Sequence, residues 1–328
     1  MRRTMRIGVT YDLQTDPLDA RQAEFDPPRT IDAVCDALGA LGHDVVRLGN
    51  AFELLRHPGR LAGVELVLNL AEGADGRCRE AWVPTLLDLS GVPYVGSDPL
   101  ALSLGLDKVA CKRLAVASGV STPPWLTLRH PDELPTRLPI RFPVIVKPRY
   151  QGSGIGIDPG AVVRDASSLR RRLAWLFARW PEPMLIEELI AGGELTVLLI
   201  GNDPPTAYPA IQRPLDPTTR LSYHVVHRHE DGPWEATLVL TESLDEDARR
   251  AARVMCEALG CRDVARVDLR VDDHGQVFFL EINPLPSFDP EGTVGLIAEQ
   301  LGLTYRDLIG RVLDAAVARQ SLLSHDTA

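Results

Sequence analysis

Two segments in the last quarter of the chain carry charged or polar side chains at every second position. Arg266 and Asp268 lie two residues apart in the first segment, and Glu281 and Asn283 lie two residues apart in the second. A two-residue turn at His274–Gly275 would join them as a β-hairpin in which Asp268 faces Glu281 and Arg266 faces Asn283. Because side chains alternate between the two faces of a strand, all four groups would then share one face.

This arrangement predicts a metal site. Two directly opposed carboxylates repel each other unless a cation lies between them. Mg²⁺ prefers oxygen ligands and commonly links one or two carboxylates to substrate phosphates. We therefore predict that Asp268, Glu281 and Asn283 bind Mg²⁺. The alternative is a solvated face whose charges hold no ligand, but Val267 and Ile282 indicate that the opposite face packs on a core.

A glycine-rich segment, Gly152-Ser153-Gly154-Ile155-Gly156, follows a predicted strand that ends in Lys147. Glycines let backbone N–H groups approach an anion closely, while Ser153 can donate a hydroxyl hydrogen and Lys147 supplies a positive charge. The segment therefore predicts a phosphate-binding loop. An ordinary glycine-rich turn stays open as the alternative, because short glycine motifs recur by chance.

The first hundred residues contain the elements of an open parallel sheet. Strand-like apolar runs alternate with helical patterns, at Ile7–Thr10, Pro28–Leu41 (helix), Val45–Leu48, Leu66–Leu70, Arg79–Leu89 (helix) and Pro93–Gly96. This βαβ alternation predicts a Rossmann-like lobe. A dehydrogenase would need Gly-x-Gly-x-x-Gly after the first strand, where Gly8 stands alone, so that class of enzyme is disfavoured.

The rest of the chain predicts two further lobes. Its pattern indicates a long helix from Ser97 to about Gly119, a strand Pro143–Lys147, a helix Ser167–Trp180, strands Met184–Ile186, Glu194–Ile200 and Ala236–Leu240, a helix Asp245–Leu259, strands around Val267 and Phe279, and closing helices to about Leu323. We therefore predict three domains, at residues 1–97, 98–187 and 188–328.

Composition excludes several classes of partner. The 328 residues carry a net charge of −10, which argues against a surface that binds nucleic acid or anionic lipid. No apolar run reaches the roughly 20 residues that span a bilayer, so we expect no membrane contact and a cytoplasmic protein. The five cysteines contain no Cys-x-x-Cys pair, which disfavours a zinc site.

Some charged residues are ambiguous when they are considered alone. Lys108 within a helix is normally a solvated charge. Glu187 and Glu188, with Glu194 downstream, could form only an acidic strand end. The spacing of His224, His227 and His229 fits a polar loop better than a metal site.

Taken in order, these segments resemble D-alanine–D-alanine ligase and its ATP-grasp relatives. The resemblance runs from about Leu66 to the end and is carried by Gly91–Ser97, Asp107-Lys108, Phe142–Pro148, Gly152–Gly156, Leu185–Glu188, Gly193–Val197, Arg266–Asp268 and Glu281–Pro286. It implies an α/β ATP-grasp fold, in which an N-terminal Rossmann-like lobe and two α+β lobes enclose ATP. A homodimer is also implied.

The resemblance further implies a role for each segment. Lys108 and Lys147 would contact the ATP phosphates, and Gly152, Ser153 and Gly154 would close over the γ-phosphate. Glu187, Glu188, Leu189 and Ile190 would bind adenine, and Glu194 the ribose. Asp268, Glu281 and Asn283 would hold two Mg²⁺ ions, with Mn²⁺ as a possible substitute. Arg266 and Ser153 are the implied catalytic residues.

The implied activity is an ATP-dependent ligation of a small-molecule carboxylate to an amine through an acyl phosphate. The substrate side departs from the family, since residues 71–80 replace its His-Gly-x-x-Gly-Glu-Asp-Gly stretch. Candidate substrate contacts are Glu72, Arg79, Glu80, Arg228 and Ser287. We therefore expect a specialised peptide or amide ligase. A true D-alanine–D-alanine ligase, an intramolecular cyclase and a non-catalytic nucleotide-binding regulator are the alternatives.

Overall fold

The computed structural model of the chain describes residues 3–227, 237–238 and 241–325. The helices are α1 Pro28–Ala40, α2 Ala51–Arg56, α3 Trp82–Ser90, α4 Pro99–Leu106, α5 Lys108–Ala117, α6 Ala166–Phe177, α7 Tyr223–Val226, α8 Glu242–Leu259, α9 Thr293–Gln300 and α10 Tyr305–His325. The strands are β1 Arg6–Tyr11, β2 Asp44–Gly49, β3 Leu66–Leu70, β4 Tyr94–Val95, β5 Trp125–Leu128, β6 Val144–Pro148, β7 Val162–Val163, β8 Met184–Glu188, β9 Glu194–Ile200, β10 Thr206–Ala207, β11 Ile211–Arg213, β12 Thr237–Leu238, β13 Val264–Val271 and β14 Val277–Asn283.

The first sheet has the strand order β2-β1-β3-β4, and every pairing in it is parallel. The predicted open parallel sheet is therefore confirmed. All five residues of β3 are buried, as expected for a strand that is covered on both faces. The only polar residue among them, Asn69, accepts a hydrogen bond of 2.8 Å from the Thr10 hydroxyl of the neighbouring strand.

The second and third sheets are antiparallel and flank the central cleft. The second has the order β5-β8-β6-β7, and the third has the order β12-β11-β9-β13-β14, with β10 added beside β9. Strand β9 is buried along almost its whole length because one core covers Leu198 and Ile200 on one face and another covers Leu195, Val197 and Leu199 on the other. Strands β13 and β11 pair with its two edges. This central position makes β9 a rigid support for the side chains at its start.

Hydrophobic packing ties the first and third sheets together. One continuous core joins Ile7 and Leu68 of the first sheet to Leu198 of β9 and to Leu308 and Val312 of α10. The second sheet has a separate core, built from its own strands, α6 and the connections between them. Helices α5 and α8 cover the other face of the third sheet.

The prediction of one long helix from Ser97 to about Gly119 is wrong, because this segment forms two helices, α4 and α5. Asp107 has extended backbone angles (φ −88°, ψ 92°) and caps α5, its carboxylate accepting hydrogen bonds from the N–H groups of Val109 and Ala110. An Asp side chain competes for backbone donors and favours such a position over a helix interior. The break places Lys108 at the first residue of α5.

The predicted domain limits can be compared with the sheets, which lie within residues 6–95, 125–188 and 194–283. The limit at 187 falls one residue before the end of β8, so a limit after Glu188 agrees better with the strands. The division into three domains itself stays a prediction. No helix in the described part of the chain is both long and apolar enough to cross a bilayer.

Candidate active site

The three sheets surround a cavity of about 450 Å³. Most of the predicted site residues form its wall: Glu72, Glu80, Lys108, Lys147, Gly152, Ser153, Gly154, Glu187, Glu188, Leu189, Ile190, Glu194, Arg266, Asp268, Glu281, Asn283 and Ser287. Residues far apart in sequence therefore converge on one space. Arg228 lies outside the described residues.

The β13–β14 hairpin forms the predicted face, although not through the predicted turn. Asp268 pairs with Glu281 and Arg266 pairs with Asn283, as expected. The turn is longer than the two residues His274–Gly275, because Val271 pairs with Val277 and the N–H of Asp272 donates to the carbonyl of Gln276. This longer turn alone would shift the register by one residue.

A β-bulge restores the predicted register. The pairing shifts between Asp268 and Leu269, since Leu269 pairs with Phe279 while Asp268 pairs with Glu281, and Leu280 is the extra residue. Bulges commonly re-aim side chains beside active sites. Here the bulge makes the two carboxylates face each other at the cavity wall.

The predicted metal ligands are held by polar contacts. Asp268 accepts hydrogen bonds from the Thr196 hydroxyl (2.9 Å), from Arg266 Nη2 (2.8 Å) and from Asn283 Nδ2 (3.3 Å). Burial raises the pKa of Glu281, but Lys108, Lys147 and Arg266 outweigh it and leave that pKa below its usual value. The carboxyl oxygens of Asp268 and Glu281 are the kind of ligand that a hard divalent cation prefers. Among the described residues, no cluster of three or more His, Cys, Asp or Glu side chains suits a metal ion.

Two lysine side chains reach the cavity, Lys108 from the start of α5 and Lys147 from β6. Lys108 is buried, and its Nζ donates to the carbonyl of Gln151 and lies 3.6 Å from Glu281 Oε2. The interpretation of Lys108 as a solvated charge is thus wrong. Lys147 Nζ lies 2.6 Å from Glu187 Oε1, on the adjacent strand of the second sheet. Both ammonium groups are positioned to meet an anionic ligand.

Lys147 belongs to a buried triad in which Glu187 lies between Lys112 and Lys147. Glu187 is 1% exposed, and its second carboxylate oxygen lies 2.6 Å from Lys112 Nζ. Burial raises the pKa of Glu187, but the two ammonium groups outweigh it and lower that pKa to about 2. Both carboxylate oxygens of Glu187 therefore contact lysines. The predicted contact of Glu187 with adenine would have to come from its backbone.

The neighbouring hinge residues are also fixed by polar contacts. Glu188 accepts a hydrogen bond of 2.8 Å from the Arg141 N–H. Arg270, which is 3% exposed, donates to the carbonyl of Ile190 and lies 2.9 Å from Glu194 Oε2. Arg270 thus orients Glu194, the predicted ribose ligand, at the start of β9.

The glycine-rich segment has backbone angles that favour glycine. Ser153, Gly154 and Gly156 have φ values of 44°, 66° and 75°. The N–H of Gly152 donates to Glu24 Oε1 at 2.7 Å, and a Cβ at Gly152 would lie 2.3 Å from the same oxygen. A larger residue at position 152 would therefore displace the Glu24 carboxylate from this hydrogen bond.

The similarity to known proteins agrees with this geometry. The model of the D-ala D-ala ligase C-terminus family matches residues 114–314. The D-alanine–D-alanine ligase of Syntrophotalea carbinolica is 32% identical over 294 residues, which cover 89% of this chain and 92% of that protein. The chain belongs to this family. A Sinorhizobium fredii protein, y4sG, is 34% identical over 301 residues, which cover 89% of this chain and 88% of the relative.

Solved structures show the same fold. The ATP complex of D-alanine–D-alanine ligase from Bacillus anthracis superposes with a TM-score of 0.78 at 22% identity, covering 97% of this chain and 99% of the other. The VanG D-Ala:D-Ser ligase from Enterococcus faecalis gives a TM-score of 0.74 at 18% identity, covering 96% and 100%. The chain is an ATP-grasp enzyme that forms C–N bonds between a carboxylate and an amine. ATP and Mg²⁺ serve this family generally, and its substrates are small molecules.

On the substrate side of the ligase, Arg79 lies behind the cavity wall. It is 2% exposed, and its guanidinium donates to Glu24 (2.6 Å), to the carbonyl of Tyr150 (3.1 Å) and to the carbonyl of Gly76 (3.2 Å). These contacts hold Arg79 against Glu24, which lines the cavity, whereas Arg79 is not among the residues that line it. The role of Arg79 as a substrate contact stays a prediction.

Several residues of the ligase site were missed by sequence reasoning. Glu24 belongs to the connection between β1 and α1, for which no motif was found. Arg213, on β11, lines the cavity and donates to the Thr293 hydroxyl. Burial and the nearby Arg266 lower the pKa of Arg213. The basic residue after an apolar strand position was a signal for Arg213, whereas nothing local indicated Glu24.

Proposed function

We propose that this ligase joins an amino acid, or a small amino-acid-like carboxylate, to an amine, and that its substrates differ from the two D-alanines of its namesake relatives. The observation that carries the proposal is the division of the cavity. Its nucleotide side contains lysines, arginines and the Asp268–Glu281 pair, whereas carboxylates of Glu24, Glu72 and Glu80 line the substrate side. The first half suits phosphoryl transfer, and the second includes Glu72 and Glu80 from residues 71–80, which replace the family's His-Gly-x-x-Gly-Glu-Asp-Gly stretch.

The chain's own groups would bind ATP as follows. Residues 187–190 supply backbone for adenine, and Glu194, oriented by Arg270, accepts from the ribose hydroxyls. Lys108 and Lys147 neutralise the phosphates, with Glu187 fixing Lys147. Phosphoryl transfer is catalysed mainly by such positioning and charge neutralisation.

Asp268, Glu281 and Asn283 would hold Mg²⁺, and we propose two ions, with Mn²⁺ as a substitute. Bound there, the metal would supply charge neutralisation at the phosphoryl oxygens. In the structure, Asp268 pairs with Arg266, so the guanidinium lies beside the metal ligands. Arg266 is thus placed to stabilise negative charge on the transferred group and on the later tetrahedral oxyanion.

The reaction has two steps. A carboxylate oxygen of the donor bonds to the γ-phosphorus as the bond between that phosphorus and ADP breaks. The amine nitrogen then bonds to the acyl carbon, phosphate leaves with its C–O bond broken, and the amine loses a proton. Ser153 and the N–H groups of the glycine-rich segment would cover the acyl phosphate and exclude water, which otherwise hydrolyses it.

Release of ADP and phosphate over a panel of single and paired amino acids tests the proposal. We expect release that depends on a particular amino acid and falls at least about a hundredfold in Glu281→Ala. The control is Asp273→Ala, an exposed position in the turn of the same hairpin, which should match the wild type. Mg-ATP binding without release for any carboxylate would instead support a nucleotide-binding regulator.

The same assay separates the remaining alternatives. Release with D-alanine alone would favour a true D-alanine–D-alanine ligase. Release that needs one substrate carrying both groups, with a product of the same mass less water, would favour an intramolecular cyclase. We further propose a cytoplasmic homodimer.

A further inference from the structure

Building on the proposed ligase function, we propose that one of its substrates has a cationic side chain, as in a basic amino acid, which binds between Glu72 and Glu80. The proposal starts from the composition of the substrate side of the cavity. Carboxylates come from three places in the N-terminal lobe: Glu24 before α1, Glu72 after β3, and Glu80 in the 3₁₀ turn Arg79–Ala81.

The nearby Arg79 directly contacts only one carboxylate of this group. Arg79 is paired with Glu24 at 2.6 Å, and its other contacts are to main-chain carbonyl oxygens. Lys108 contributes positive charge near Glu80, but its ammonium contacts the Gln151 carbonyl and Glu281. Glu72 and Glu80 are thus left without a dedicated cation.

Glu80 is the observation that points to a ligand. Its side chain lines the cavity although the residue is only 7% exposed. Among the described residues, no hydrogen-bond donor or ion-pair partner contacts its carboxylate, although buried carboxylates are normally paired. A carboxylate that is buried, unpaired and directed at a cavity is suited to a cation delivered by the ligand.

The pKa values of the two carboxyl groups agree with this inference. Burial raises the pKa of Glu80 to about 8, with Glu24 adding to the increase while Arg79 and Lys108 oppose it. Burial also raises the pKa of Glu72, and Glu80, Glu24 and Asp26 increase it further. A cation that binds here would displace protons from these carboxylates.

The reacting amine must lose its proton before it attacks the acyl carbon. A site that holds a lasting positive charge therefore suits a cation other than that amine. An α-amino acid donor brings one ammonium group, for which one carboxylate is sufficient. Glu72 and Glu80, which have no ion-pair partner among the described residues, therefore suit a second positive charge, carried by the side chain of the substrate.

Calorimetric binding in the presence of Mg²⁺ and a non-hydrolysable ATP analogue tests the inference without requiring turnover. The probes are L- and D-lysine against L- and D-norleucine, and L- and D-arginine against L- and D-citrulline, so that each pair differs in charge but little in shape. We expect at least about tenfold tighter binding of one basic member, the size of one charge-assisted contact. Its affinity should rise between pH 6 and 8 as Glu80 loses its proton.

Two variants locate the effect. Glu80→Gln should remove both the preference for the basic ligand and its pH dependence, while nucleotide binding is retained. Glu182→Gln is the matched control, since Glu182 is also a partly buried acid near the glycine-rich segment but does not line the cavity. It should keep the preference.

Equal affinity for basic and neutral members of every pair would overturn the inference, as would a preference that survives in Glu80→Gln. If ADP release then occurs with neutral amino acids only, the ligase proposal stands and the cationic side chain is wrong. If basic ligands bind through Glu80 but nothing supports ADP release, the inference stands and the proposed catalysis is wrong.

Discussion

Replacing Glu187 with glutamine should destabilise the protein strongly, because it removes the carboxylate that contacts two buried lysines. Lys112 is fully buried, and both ammonium groups lie 2.6 Å from the Glu187 oxygens. The difference between the ordinary pKa of 4.5 and the folded-state pKa of about 2 corresponds to about 3 kcal/mol. Breaking a buried ion pair typically costs about 3–5 kcal/mol, which agrees with this figure.

The measurement is the free energy of unfolding by urea, followed over pH. Since the folded-state pKa of Glu187 is depressed, its contribution is complete above pH 4.5 and is lost as the pH falls towards 2. The difference between wild type and Glu187→Gln should therefore be about 3 kcal/mol at pH 7 and should shrink below pH 4.5. The KM for ATP should also rise, because Lys147 loses its anchor.

Two controls make the result specific. Glu188→Gln changes the next carboxylate, which contacts the backbone and the exposed guanidinium of Arg141, and should cost less than about 1 kcal/mol. Adding Lys112→Met to Glu187→Gln removes one unpaired cation and should recover part of the loss. An effect of Glu187→Gln below 1 kcal/mol, or equal to that of Glu188→Gln, would refute the account of the triad.

Three further substitutions test other parts of the structure. Asp107→Ala removes a helix cap and a partly buried Arg149 partner, and should cost about 2–4 kcal/mol by thermal unfolding. Asp98→Ala removes the cap of α4 and a more exposed Arg262 partner, and should cost about 1 kcal/mol. Asp263→Asn unpairs Arg319 at a fully buried position and should cost about 3–5 kcal/mol; a loss under 1 kcal/mol would contradict the pairing. Thr196→Val removes the hydroxyl that donates to Asp268, a predicted metal ligand, and should raise the Mg²⁺ concentration for half-maximal ADP release about tenfold without loss of stability. An unchanged Mg²⁺ dependence would contradict that role.

Periodic patterns predicted the sheets and the main helices because burial on one face follows sequence spacing directly. The pairing of Asp268 with Glu281 was also predictable, but through two errors that cancel. A turn longer than two residues shifts the register in one direction, and the bulge at Leu280 shifts it back. Bulges depend on tertiary fit and leave no clear signal in one sequence.

Other features depended on contacts between distant segments. The role of Glu187 as a partner of Lys112 and Lys147 needs three elements packed together, so adjacent glutamates looked like an acidic strand end. Glu24 reaches Gly152 across 128 residues. By contrast, the split at Asp107 could have been predicted, since Asp is a common N-cap and was present in the sequence.

The hydrophobic core shared by the first and third sheets has a consequence for product release. Those two sheets share one core, while Lys147 lies on the second sheet, which has a separate core, and the glycine-rich segment connects two of its strands. We expect the second sheet to move relative to the other two when ADP leaves, which would break the Gly152–Glu24 hydrogen bond. A covalent tether formed across that contact after ATP and substrates have bound should permit one turnover and trap the products.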